Sequence, residues 1–243
     1  VIEPGKFLGR EHRVLDKGGY TAVFMEMQAY ANSAVELYET QFGTVKPAET
    51  PFVSDSVLTP DLWEARGQLA ESSASILMKL LWLAPLSRPD INFPVVSLAA
   101  QISKWSRADD LRLKRLVGYV KQTAHFGIMG EVAKTEVPPL IRAFCDSDLA
   151  GCVTSCKSHS GIFTVIESGD RLFPISWTSK RQSAVARSTT EAELASANEG
   201  VFQDMIPTKS LLERILGFPV DSLLMEDNSA CITVLESGYS PKL

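Results

Sequence analysis

Apolar positions change rhythm at Pro138-Pro139: ahead of that pair they recur mostly at helical spacing, and beyond it they fall into short strand-like runs. The opening is an exception. Lys6-Phe-Leu-Gly-Arg, Asp16-Lys-Gly-Gly19 and Tyr20-Thr-Ala-Val-Phe-Met predict a β-hairpin turned by the glycine pair. A helix over 29–42 follows, with Ala34, Leu37, Tyr38 and Gln41 at helical spacing and Gly43 as its C-terminal stop. After a proline-rich linker from Lys46 to Pro60, the pattern predicts helices over 61–84, 89–104 and 108–123. In the last, Leu113, Leu116, Val117 and Val120 form an apolar stripe opposite its bases. Past the prolines, strands are expected over 141–147, 161–167 and 172–178, with Glu167-Ser-Gly-Asp170 as a hairpin turn. Helices over 189–206 and 208–216, a strand over 222–226 and a helix from Ser229 complete the pattern, Pro207 opening the second helix and Gly217 ending it. The switch marks a boundary between regions 1–136 and 137–243. No repeat or low-complexity tract occurs.

Composition narrows the class without choosing a function. The chain has 243 residues, 45% of them apolar, enough for one large or two small cored domains and too apolar for disorder. Its longest apolar run, Ile76 to Leu86, includes Lys79 and is shorter than the ~20 residues a membrane helix requires. No membrane partner is expected. No secretory signal opens the sequence, and a first residue of Val1 fits a piece of a longer protein. Four cysteines without paired spacing suit a reducing intracellular setting.

A net charge of −5 argues against a nucleic-acid partner, which normally meets a basic surface. Local charge argues the other way. Residues 101–125 hold six bases (Lys104, Arg107, Arg112, Lys114, Arg115 and Lys121) against Asp109 and Asp110. A second cluster, Trp177, Ser179, Lys180, Arg181 and Arg187, precedes the helix at 189 and is the candidate nucleic-acid contact. Each set also reads as a solvated face, and Trp177 as a packing residue.

Three acids carry the candidate chemistry. Asp146 lies in the strand Ile141-Arg-Ala-Phe-Cys-Asp, Asp227 ends Ser222-Leu-Leu-Met-Glu-Asp, and the segment Ser188-Thr-Thr-Glu191-Ala-Glu193 offers two glutamates about 200° apart around a helix. Only one can face the sheet. Ser188 and Glu191 form a capping box, which occupies Glu191 and leaves Glu193 as the inward acid. Asp146, Glu193 and Asp227 are thus placed as a nuclease working through paired metal ions would place them, with Mg²⁺ as the cation and Mn²⁺ as a substitute. Without metal, such a cluster repels itself and at least one pKa rises. Three caps or solvated charges would give the same spacing. Asp148 shares a strand face with Asp146 and, with Asn228, is a candidate outer-shell group. Cys152, Cys156 and His159 lack a fourth ligand and make a poor zinc set.

The blocks Phe144-Cys-Asp-Ser-Asp-Leu-Ala-Gly-Cys152, Ser160-Gly, Ile175-Ser-Trp-Thr-Ser-Lys-Arg-Gln182, Ser188-Thr-Thr-Glu-Ala-Glu-Leu194 and Glu226-Asp-Asn-Ser-Ala-Cys-Ile232 resemble the ribonuclease H domain of copia-type retrotransposon Pol polyproteins. Upstream, Lys6-Phe-Leu-Gly, Lys46-Pro-Ala-Glu-Thr-Pro51, Ser87-Arg-Pro-Asp-Ile91 and Leu116-Val-Gly-Tyr-Val-Lys121 resemble the end of the same family's reverse transcriptase, after its polymerase centre. The resemblance implies a mixed α/β, ribonuclease H-like sheet with flanking helices, three strands in a meander and the fourth beside the first. A mostly helical thumb or connection region precedes it. It also implies hydrolysis of the RNA strand of an RNA–DNA hybrid, with Asp146 bridging two ions and Glu193 and Asp227 holding one or each. Partners would be the hybrid, a polymerase core and an integrase. The setting would be a cytoplasmic virus-like particle or the nucleus.

The family's fourth acid lies beyond the block of Asp227, past another strand, whereas this sequence stops at Leu243, so the resemblance implies a truncated domain. The polymerase aspartates would lie before Val1, and no DNA synthesis is expected. Leu149 replaces a common aromatic and Cys156 a common base. Two other readings stand beside this one. The first is a decayed or repurposed, catalytically inactive nucleic-acid-binding or interaction module. The second is another two-metal nuclease on the same fold, such as a resolvase or integrase.

Overall fold

A computed structural model of the chain describes residues 5–152 and 155–239, apart from the side chain of Asp55. The remaining residues, among them the Ser-Pro-Lys-Leu end, lie outside that description. The architecture is mixed α/β, with two four-stranded sheets and eight α-helices among the described residues. The chain divides into two compact units, Val1–Arg13 with Phe24–Ile128 and Val14–Val23 with Met129–Leu243. One sheet, ordered β1-β2-β3-β4, consists of β1 (Lys6–Phe7), β2 (Arg10–Asp16), β3 (Tyr20–Glu26) and β4 (Gly127–Ala133), and the division between units runs through its last three strands. The expected hairpin is β2–β3, and Gly18, at φ +77°, supplies its left-handed turn residue. Strand β4 was not foreseen.

The first unit buries the stripes of four helices: α1 (Gln28–Phe42), α3 (Ser73–Ser87), α4 (Asn92–Ala99) and α5 (Arg107–Gln122), with the short α2 (Pro60–Glu64) ahead of α3. Ala34 and Tyr38, Leu77 and Leu80, Val95 and Leu98, and Leu113, Leu116, Val117 and Val120 meet in one apolar cluster. Helix α5 starts on a capping box in which Ser106 Oγ accepts from the Asp109 N–H and Asp109 Oδ2 accepts from the Ser106 N–H.

The continuous helix expected over 61–84 is broken at 65–72, and Asp110 is the reason. Its carboxylate accepts from the Gln68 and Leu69 N–H groups and from Trp105 Nε1, at 2.7–3.0 Å. Those three bonds offer the backbone a better arrangement than another helical turn. The bases of 101–125 do not form one open face either. Arg112 is buried between the rings of Phe52 and Trp63 and bonds to Ser97, Arg115 binds Thr50, and Lys121 binds Glu39 and the Val45 carbonyl. Arg88, 1% exposed, is likewise satisfied by Asp90 and by the carbonyl and hydroxyl of Thr123.

The second unit is built on the sheet β7-β6-β5-β8, formed by β5 (Leu140–Asp148), β6 (His159–Ser168), β7 (Arg171–Arg181) and β8 (Asp221–Met225). β5, β6 and β7 make an antiparallel meander, and β8 runs parallel to β5 from Leu140↔Asp221 to Phe144↔Met225. Helix α6 (Thr189–Glu199) packs on the face carrying Ile141, Ala143 and Cys145. It approaches closely because the residues it turns inward are small: Ala192, Ser196, Ala197 and Gly200. Gly200 lies directly against Cys145 Sγ and Ile162, with no space for a Cβ.

The two helices expected over 189–216 are one continuous run. A π-helical stretch, Gly200–Met205, joins α6 to α7 (Ile206–Leu216), with Pro207 in the first turn of α7. The Ile206 N–H reaches back to the Val201 carbonyl, and this wider turn lets the chain pass Pro207, which has no N–H to give. Helix α8 (Ser229–Ser237) closes the described part of the unit.

Candidate functional site

The acidic site forms where β5, β8 and the start of α6 converge in the second unit. Asp146 stands opposite Gly161 on β5, near the strand's C-terminal end, with an exposed side chain. Its backbone carbonyl accepts a 2.9 Å hydrogen bond from Ser196 Oγ, which fixes α6 against β5 at this level. Asp227 is also exposed, in the short link between β8 and α8.

Glu193 is the inward acid of α6, 6% exposed. The start of the helix explains the choice. Ser188 Oγ accepts from the Glu191 N–H at 3.1 Å, as in a capping box, but Glu191 Oε2 reaches the N–H of Arg187 at 2.7 Å, one residue earlier than the box expects. Glu191 is occupied either way, and Glu193 faces the sheet. Ser147 Oγ approaches Glu193 closely enough to favour its charged form without completing a well-formed hydrogen bond, and Glu193 Oε2 stays buried without a partner. Burial first, and then the charges of Glu226, Asp146 and Asp227, push the Glu193 pKa up to about 7.

Glu226 was passed over in the sequence. Adjacent residues of a strand point to opposite faces. β8 ends at Met225, however, and alternation does not extend to either residue. Burial first, then the charges of Asp227 and Asp146, raise the Glu226 pKa. Two thiols line the same region: burial and the charge of Glu226 push Cys145 up to about 12 and Cys231 up to about 11. Both are inert at neutral pH.

The four acids are electrostatically coupled, yet among the described residues no three His, Cys, Asp or Glu side chains are gathered into a metal cage. That holds for the acids and equally for Cys152, Cys156 and His159. Cys156 instead closes a turn onto the Cys152 carbonyl, and His159 Nε2 bonds to Ser179 Oγ at 2.8 Å. The chemistry of the acidic donors still fits a hard divalent cation, because all are carboxylate oxygens and two of them, on Glu193 and Glu226, are buried without a well-formed hydrogen bond.

The other predicted residues take varied positions. Trp177 is 8% exposed and stacks on Phe163, with centroids 6.4 Å apart, so its ring belongs to the sheet's packing. Lys180 pairs with Glu199 at 2.5 Å, Arg181 points to Cys152 Sγ, and Arg187 precedes the helix cap. Asp148 lies over Gly151 at the end of β5. Asn228 caps α8, its Oδ1 accepting from the Ala230 and Cys231 N–H groups at 3.0 Å. No helix among the described residues is long and apolar enough to cross a membrane.

No protein-family model matches the chain. An uncharacterized mitochondrial protein of Arabidopsis thaliana is 37% identical over 155 residues, covering 61% of this chain and 58% of the relative. The retrovirus-related Pol polyprotein from transposon RE2 of Arabidopsis thaliana is 32% identical over 167 residues, 66% of this chain and 10% of that protein. The corresponding polyprotein from transposon TNT 1-94 of Nicotiana tabacum is 26% identical over 199 residues, 79% of this chain and 14% of that one. The chain thus spans a little over half of the first relative and about a tenth of the polyproteins. This agreement and the ordered sequence blocks support a fragment of a retrovirus-related Pol polyprotein like those of copia-type retrotransposons.

Proposed function

We propose that the second unit is a ribonuclease H-type centre that hydrolyses the RNA strand of RNA–DNA hybrids with divalent cations, Mg²⁺ or Mn²⁺. The observation that carries this reading is Glu193 Oε2, buried without a hydrogen-bond partner and under the charges of Glu226, Asp146 and Asp227. Isolated buried carboxylates are costly, and a cation is the natural counter-charge. Asp146, Glu193 and Asp227 would hold the metal, which when bound supplies charge neutralisation at the phosphate and acidifies water. Asp146 lies near the C-terminal end of β5, where Ser196 ties its backbone carbonyl to α6. Glu193 must lose its proton to act. The remaining polyprotein, polymerase core and integrase included, is the proposed partner in the reverse-transcription cycle.

The test is cleavage of a hybrid labelled in its RNA strand, with Mg²⁺ or Mn²⁺. The wild-type chain is expected to cut, and Asp146→Asn to fall below detection. Undiminished cutting by the variant overturns the assignment.

The open arrangement of the acids, the pairing of Lys180 with Glu199 and the burial of Trp177 favour a second reading, an inactive binding or interaction module. A hybrid retained in a metal-free gel shift but not cut on adding metal would establish it.

A further inference from the structure

Glu226 follows the last residue of β8 and is held by its own turn: Oε1 accepts a 3.0 Å hydrogen bond from the Asn228 N–H. Asn228 in turn caps α8, so the carboxylate is anchored to a helix start rather than to a mobile loop. Its other oxygen, Oε2, is buried without a well-formed hydrogen bond, although the Cys231 thiol comes close enough to the carboxylate to favour its charged form. Glu193 Oε2 is likewise buried without a partner, on a residue 6% exposed. Glu226 comes first among the charges that act on Glu193, ahead of Asp146 and Asp227. Two buried carboxylate oxygens without well-formed hydrogen bonds thus belong to residues close enough to interact, one on α6 and one just past the end of β8.

We propose that Glu226 is a further cation ligand, holding one divalent ion together with Glu193 on the buried side of the site while Asp146 and Asp227 serve its exposed side. Two carboxylates suffice, because Mg²⁺ commonly takes one or two and keeps water in its other positions. Such a pair needs no closed cage of three acids, in keeping with the arrangement among the described residues. Cys145 and Cys231, both buried, lie close enough to feel the charges of Glu226 and Glu193. The inference rests on the reading that these acids hold divalent cations, and adds a residue to it.

Mn²⁺ binding to the full chain, followed by calorimetry and by the electron paramagnetic resonance of free Mn²⁺ at about pH 8, tests it directly. Glu226→Gln keeps the shape, and circular dichroism checks the fold. It is expected to weaken binding tenfold or more or to remove one ion from the stoichiometry. Glu226→Asp is expected to recover part of the loss, and it serves as the measurement should the glutamine variant not fold. Wild-type stoichiometry and affinity in Glu226→Gln, with binding lost in Asp146→Asn, would overturn the role of Glu226 and leave the nuclease reading standing. No Mn²⁺ binding by the wild-type chain would overturn both.

Discussion

Glu193 is a carboxylic acid held in a position where its neutral form is favoured, and its titration is tied to folding. Its pKa rises from 4.5 to about 7, chiefly through burial. In the metal-free protein the folded state therefore holds a proton that the unfolded state has released. The stability this provides is complete below about pH 4.5 and is lost as pH rises through about 7. Glu193→Gln should remove that slope and, above pH 7, raise stability by on the order of 2 kcal/mol, as read from urea unfolding at several pH values. Gly200 is a second residue with a sharp expectation. Gly200→Ala places a methyl group against Cys145 Sγ and Ile162, and about 1–3 kcal/mol of destabilisation is expected from the unfolding midpoint.

Elements were legible where local signals and tertiary packing agree. Ser188 and Glu191 announced the start of α6 and, by elimination, the inward position of Glu193. Ser188→Ala should cost about 1 kcal/mol by denaturant titration. Gly217, with φ +79°, ended α7 as its sequence position indicated. The break between α2 and α3 was not legible, because its cause, Asp110, lies more than forty residues downstream. Strand β4 was also hidden: Gly127 and Gly130 interrupt the alternation of Gly-Ile-Met-Gly-Glu-Val-Ala, and each is needed for a close approach. Gly127 lies against the Met25 carbonyl and Gly130 against the ring of Phe173. Of the candidate acids, the place of Asp146 on β5 and of Glu193 on the inner side of α6 followed from strand and helix periodicity. Glu226 did not, since periodicity carries no information past the last paired residue of a strand.

Across the whole molecule, each unit buries its own core. The apolar cluster of α1, α3, α4 and α5 belongs to the first, and the acids belong to the second. Calorimetric unfolding is therefore expected to depart from a single two-state transition. Mn²⁺ should raise only the component that carries the second unit, by about 2.7 kcal/mol at a concentration one hundred times the dissociation constant. A uniform shift of the entire profile would place the cation elsewhere.

The bond from Ser196 to the Asp146 carbonyl acts as a gauge between two acids contributed by different elements. Ser196 sits three positions after Glu193, close to one helical turn, so a single hydroxyl sets both how far α6 slides along β5 and where its carboxyl arrives. Deleting that hydroxyl in Ser196→Ala should blur alignment as well as loosen the fold: cation affinity should fall severalfold, and loss of the buried hydrogen bond should lower stability by about 1 kcal/mol.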